Sequence, residues 1–169
     1  CPGNIMITTE GLPKLGDFGV AKVTKSVLAR EGLFVGKLIY MAPEQARQKP
    51  VDFRVDIFSL CAVLFELLAR RPIRAPSRTT TMAQAPALVK TPIPWPLLPR
   101  ATSKDLRAIL HKMLAIQPAQ RYQDTDQLAH DLEYFIYRDG YGPTIQTLEN
   151  YLRKHFSYLY LIKETGGDN

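Results

Sequence analysis

Cysteine, tryptophan and long apolar runs are all scarce in this chain. Its 169 residues include two cysteines and one tryptophan. Cys1 lies at one end and Cys61 inside an apolar stretch, an arrangement that excludes a disulfide framework and suits a reducing, cytoplasmic compartment. No segment is long enough to span a bilayer, and no signal-peptide pattern occurs. The net charge is +6, yet the cations are scattered and form no block, so a nucleic-acid-binding tail is excluded. No internal repeat is present. What remains is 46% apolar and 22% charged, the composition of an ordinary globular protein with enough residues for one sizeable core. The chain starts at Cys1 rather than Met and opens directly in a turn, Pro2-Gly3-Asn4, so a fragment is expected.

The densest apolar stretch is Val55–Ala69, interrupted only by Asp56, Ser59 and Glu66. A helix apolar nearly all round belongs in the middle of a domain or in a membrane. At about 1.5 Å per residue it reaches only about 22 Å and carries two carboxylates, which favours a buried central helix. Asp56 falls in its first turn, where the helix dipole favours a carboxylate.

Ahead of this helix, Ile5–Thr8 and Leu12–Leu15 read as two short strands joined by the turn residues Thr9-Glu10-Gly11. Gly16-Asp17-Phe18-Gly19 follows. Asp beside Gly is most often a plain turn residue. Asn4 and Asp17 also bracket the hairpin, and an amide oxygen beside a carboxylate makes a hard-oxygen site suited to Mg²⁺. Residues 20–37 have no clear period and read as a long functional loop. Tyr40-Met41-Ala42-Pro43-Glu44 closes it, with Pro43 placed to open a helix.

Pro2-Gly3-Asn4, the short strands, Asp17-Phe18-Gly19, the loop and Tyr40-Met41-Ala42-Pro43-Glu44, followed by VDFRVDIFSL, resemble the carboxyl-terminal lobe of a eukaryotic-type serine/threonine protein kinase, with the bacterial members closest in wording. The resemblance implies a mainly α fold, a helical lobe with a short β-hairpin at its start and no N-lobe. It covers residues 1–137 as a partial kinase domain, and residues 138–169 are expected to form an appended helix and frayed tail. It further implies ATP and Mg²⁺ as cofactors, a protein substrate and the missing N-lobe as partners, and neither nucleic acid nor a membrane span. Asn4 and Asp17 match the two Mg²⁺-holding residues. Met6, Asp17, Phe18 and Gly19 match the nucleotide-binding set, with Met6 under the adenine; a core methionine is the plain alternative. Thr24 and Ser26 match activation-segment hydroxyls that could accept phosphate. Glu44 resembles a glutamate that pairs with a late arginine, here Arg121. Asp56 resembles the aspartate that accepts from catalytic-loop N–H groups, with Val63 and Leu67 facing the core.

Further along, Thr81–Lys90 could supply a substrate-docking helix interrupted by Pro86. The proline-rich stretch around Trp95 could alternatively be a polyproline ligand, although Leu97 and Leu98 look tucked onto the lobe. Ser103-Lys104-Asp105 opens a helix with Leu106, Ile109, Leu110, Met113 and Leu114 on one face, and Asp124–Tyr137 forms another. Ile145, Leu148, Leu152, Phe156 and Leu159 fall at helical spacing and imply a terminal helix packed on the lobe.

Parts of the kinase pattern are missing or altered. No glycine-rich loop, nucleotide-anchoring lysine or His-Arg-Asp base occurs in these residues, so the polypeptide alone is expected to be inactive. Cys1 stands where the family has lysine, Lys37 where it has threonine, and Cys61 where it has glycine. A cation supplied by Lys37 could compensate for the one lost at Cys1; drift is the simpler reading. The alternative to an enzyme is a pseudokinase-like interaction module.

Overall fold

The computed structural model describes residues 1–16, 38–75 and 80–161, the Met82 side chain excepted. The described residues are mainly helical, with one two-stranded antiparallel sheet. The chain divides into two compact units. One holds Cys1 and Lys22–Phe135; the other joins Pro2–Ala21 to Ile136–Asn169.

The first unit is built on the helix Arg54–Ala69. Before it opens, the Asp52 carboxylate accepts from the Arg54 backbone N–H at 3.0 Å and from its guanidinium. At its far end Arg70 turns left-handed at φ 55°, and Pro72 follows, so the helix stops. Val55, Ile57, Phe58, Cys61, Ala62, Val63 and Phe65 are buried. The helix is not buried all round, however. Phe53, Leu60 and Leu67, spaced by sevens and so on one stripe, are exposed, and Leu67, expected in the core, is 66% exposed.

Against this helix packs Lys104–Met113, capped at Ser103, whose hydroxyl accepts from the Leu106 N–H at 3.2 Å. Asp105 in its first turn and His111 and Lys112 in its last complement the dipole. Its predicted apolar face is the one that is used: Ile109, Leu110, Met113 and Leu114 are buried with Phe58, Phe65, Tyr122 and Leu98. Trp95 stacks on His111 at 3.7 Å between ring centroids and meets Phe65 edge-on. Pro92 to Pro99 is therefore anchored to the core through Trp95 and Leu98 and is not a free polyproline ligand; Leu97 remains exposed. Thr125–Tyr137 adds Leu128, Leu132 and Phe135 to the same core.

A smaller core joins Leu38, Ala46, Ala85 and Val89, with Met41 and Leu88 against it. It packs the segment around the helix Pro43–Ala46 onto the helix Ala85–Leu88, which follows a 3₁₀ turn, Met82–Gln84. Pro86 does not interrupt that helix. It occupies the first turn, where a missing N–H costs nothing.

In the second unit, strands β1 (Ile5–Ile7) and β2 (Pro13–Leu15) pair Ile5 with Leu15, Met6 with Lys14 and Ile7 with Pro13. Each is one residue shorter than the sequence predicts. Thr8 N–H donates to the Leu12 carbonyl and Gly11 N–H to the Thr8 carbonyl, both at 2.9 Å, and Gly11 closes the turn at φ +81°. Helix Ile145–His155 is capped by Thr144, which accepts from Thr147 N–H at 3.3 Å. The helical run predicted to continue through Leu159 breaks at Phe156 and resumes as Tyr158–Leu161.

Candidate active site

Pro2–Asn4 forms one 3₁₀ turn that delivers Asn4 to the start of β1. At the same end of the hairpin, the Gly16 N–H donates to the Asn4 carbonyl at 2.7 Å. The Met6 methyl lies beside Gly16, 3.0 Å from where a Cβ would stand, so any side chain at residue 16 would displace it. Met6 itself is 56% exposed and is not a core methionine here. The hairpin thus brings Asn4 next to the residue preceding Asp17. Asp17, Phe18, Gly19, Thr24, Ser26 and Lys37 lie outside the described residues, as does the contact between the Asn4 and Asp17 side chains that the sequence reading expects.

Glu44 and Arg121, far apart in sequence, meet inside the first unit. Arg121 Nη1 donates to Glu44 Oε1 at 2.6 Å and Nη2 to Oε2 at 2.8 Å. The fork is completed by carbonyls: Nε to Ala115 at 2.8 Å, Nη1 to Arg54 at 2.9 Å and Nη2 to Ile116 at 3.3 Å. The guanidinium also lies 4.9 Å from the Phe58 ring centroid. A bidentate pair with every donor occupied is the geometry in which a buried ion pair offsets its desolvation. Burial pushes the Glu44 carboxyl up, and the Arg121 hydrogen bonds pull it down further, leaving it below its usual value.

The pair fixes the short helix Pro43–Ala46, and two more bonds fix the residues before it. Ser59 donates to the Tyr40 carbonyl at 2.9 Å, and the Tyr40 hydroxyl donates to Glu66 at 2.6 Å. Burial first, and then the neighbouring Glu66 carboxylate, push the Tyr40 hydroxyl well above its ordinary pKa. Arg74, which sequence reasoning passed over within Arg70–Arg74, is buried and donates from Nη1 to the Met41 carbonyl at 2.7 Å. It sits 5.3 Å from the Phe58 ring centroid, and burial pulls its pKa down to about 10. Nothing in a run of arginines says which one will be buried. Asp56 is exposed, and its carboxylate makes no hydrogen bond among the described residues. Its placement in the first turn fits the dipole role.

The arrangement holds a rigid segment, Tyr40–Ala46, against the central helix in one unit, and presents Asn4 at a hairpin end in the other. Comparison with known proteins agrees with the motif order. The family model for the protein kinase domain matches residues 2–133. The chain is 38% identical over 157 residues to the tyrosine-protein kinase MasK of Myxococcus xanthus, covering 92% of this chain and 24% of that one. It is 36% identical over 134 residues to the serine/threonine-protein kinase PknA of Corynebacterium glutamicum, covering 76% and 27%. It is 34% identical over 134 residues to PknB of Mycobacterium tuberculosis, covering 78% and 21%. The chain spans about a quarter of the length of these relatives. A family match over most of its length, on a helical fold whose motif residues fall in kinase order, makes this chain a member of the protein kinase family.

Proposed function

We propose that this stretch is the metal- and substrate-facing helical part of a serine/threonine protein kinase that passes the γ-phosphoryl group of ATP to protein hydroxyls. The observation that carries the reading is the Asn4–Gly16 hydrogen bond, which sets the amide-bearing residue beside the one leading into Asp17. The Asn4 amide oxygen and the Asp17 carboxylate are hard-oxygen donors, the set that Mg²⁺ prefers. Mg²⁺ bound there supplies charge neutralisation on the phosphate oxygens. Met6, Phe18 and Gly19 would border the nucleotide, Thr24 and Ser26 would be acceptors within the activation segment, and Glu44 with Arg121 would hold that segment's end. On this reading residues 1–137 are kinase domain, residues 138–169 are an addition to it, and the protein works in the cytoplasm.

The 169-residue polypeptide by itself is expected to be inactive, since it contains neither a glycine-rich loop nor a His-Arg-Asp base. The test is transfer of labelled γ-phosphate from ATP·Mg²⁺ to a basic protein acceptor. Transfer by this polypeptide, abolished in Asp17→Ala, would overturn the inactivity. In a longer enzyme containing this stretch, Asp17→Ala with undiminished turnover would overturn the metal assignment.

A second reading, tyrosine specificity, is favoured by two observations. Lys37 replaces the threonine that suits a serine/threonine enzyme, and the relative aligned over 92% of the chain is named a tyrosine-protein kinase. Phosphoamino-acid analysis of the product separates the two.

A further inference from the structure

We infer that residues 136–161 form a strap that clamps the hairpin carrying Asn4, with Tyr160 as its latch. Residues beyond 133 lie outside the stretch matched by the family model, so this contact is additional to the domain itself. It is carried by three features of the second unit.

The first is steric. A Cβ on Gly11 would lie 2.5 Å from the Ile145 carbonyl oxygen and 2.8 Å from the Glu149 nitrogen. The hairpin turn and the first turns of helix Ile145–His155 therefore meet backbone to backbone, an approach open only to glycine.

The second is a directed bond. The Tyr160 hydroxyl donates to the Thr9 carbonyl at 2.6 Å, tying the last helix to the same turn. Its ring is held from behind by the Arg153 guanidinium at 4.3 Å, and Arg153 is in turn paired with Glu149 at 2.8 Å. The latch is thus built on the strap and closes on the hairpin.

The third is looseness. Between turn and helix lies an apolar groove of about 440 Å³, lined by Gly11, Pro13, Ile145, Leu148 and Tyr151 among others. A hairpin turn held against a helix with open space beside the contact belongs to the low-stability end of a protein, where local opening occurs without global unfolding. The two strands are three residues each, and an isolated two-stranded hairpin is marginal in water. Holding the turn therefore steadies the other end, where Gly16 bonds to Asn4. This conclusion stands whether or not Asn4 grips a metal.

The experiment is amide hydrogen exchange on the 169-residue chain. In Tyr160→Phe, which keeps the ring over Arg153 and removes only the donor, the Gly11 and Gly16 amides are expected to exchange about tenfold faster, as the loss of one hydrogen bond implies. Gly11→Ala should give a larger acceleration at Gly16 and at the Leu148 amide. Tyr158→Phe, an exposed neighbour, should change nothing. Wild-type exchange at Gly16 in Tyr160→Phe would overturn the proposal. So would an equal acceleration in Tyr158→Phe or along helix Arg54–Ala69, either of which would mark a general loss of stability rather than an opened latch. If Gly11→Ala does not fold, Tyr160→Phe decides alone.

Discussion

Replacing Arg121 by methionine tests the packing of the first unit at its most connected point. The guanidinium donates to both Glu44 oxygens and to three carbonyls, and it lies over Phe58. Methionine keeps much of the volume and loses every donor. Glu44, only 6% exposed, then loses the cation that hydrogen-bonds both its oxygens, and the Ala115 and Ile116 carbonyls lose a partner. Breaking a buried pair from one side costs about 3–5 kcal/mol, a large fraction of the roughly 5–15 kcal/mol by which domains are stable. Trp95 is the sole tryptophan and stacks on His111 within this unit, so its fluorescence in urea reports the unfolding of the unit. The midpoint should fall at unchanged slope. In the double variant Glu44→Leu with Arg121→Met, no charge is stranded, and the loss should be smaller than the sum of the single losses by at least about 1 kcal/mol. A loss below about 1 kcal/mol for Arg121→Met, or additive singles, would show that the pair is not the anchor its geometry describes.

The pair also sets a pH dependence. Glu44 sits below its ordinary value in the fold, so its contribution is full above the unfolded carboxylate range and is lost as pH falls through the folded value. The gap in urea midpoint between wild type and Glu44→Gln should therefore narrow steadily below about pH 4.5, and a gap that widens there would contradict the assignment. Burial pushes the Cys61 thiol well above its ordinary pKa, while Cys1 is exposed, so a disulfide reagent should titrate one thiol in the native chain and both in denaturant. Phe65→Ala should cost about 3–5 kcal/mol, whereas Leu67→Ala, two residues on, should stay within about 0.5 kcal/mol; thermal denaturation of the two side by side decides this. Tyr40→Phe removes the bond to Glu66 and should cost about 1.5–3 kcal/mol, as hydrogen bonds to charged groups do, measured by urea titration.

Several elements are legible in the sequence alone. Ser103 followed by a clean apolar face predicts helix Lys104–Met113 because cap and period point the same way, and that face is the buried one. The hairpin was readable from short apolar runs about Gly11, and Gly11 is the residue at positive φ. The pairing of Glu44 with Arg121 came from resemblance, since no local pattern links residues so far apart. Other features were hidden. In Arg54–Ala69 nearly every face is apolar, so the pattern could not say that Leu60 and Leu67 would stay in solvent. Pro86 read as an interruption because the helix start could not be placed to within a turn. The periodicity of the tail gave its apolar stripe but not its destination, the turn at Gly11.

The sequence by itself determined local matters: which residues cap, bend and repeat, and, through motif order, which family the chain belongs to. Caps, bends and periods depend on neighbours along the chain, so they can be read from residue order. Tertiary structure alone decided which arginine of Arg70–Arg74 is buried, which stripe of the central helix meets solvent, and that Tyr160 closes on Thr9. Each of these is settled by what distant segments leave room for. Close packing and the pairing of most buried polar groups are properties of the whole assembly of side chains.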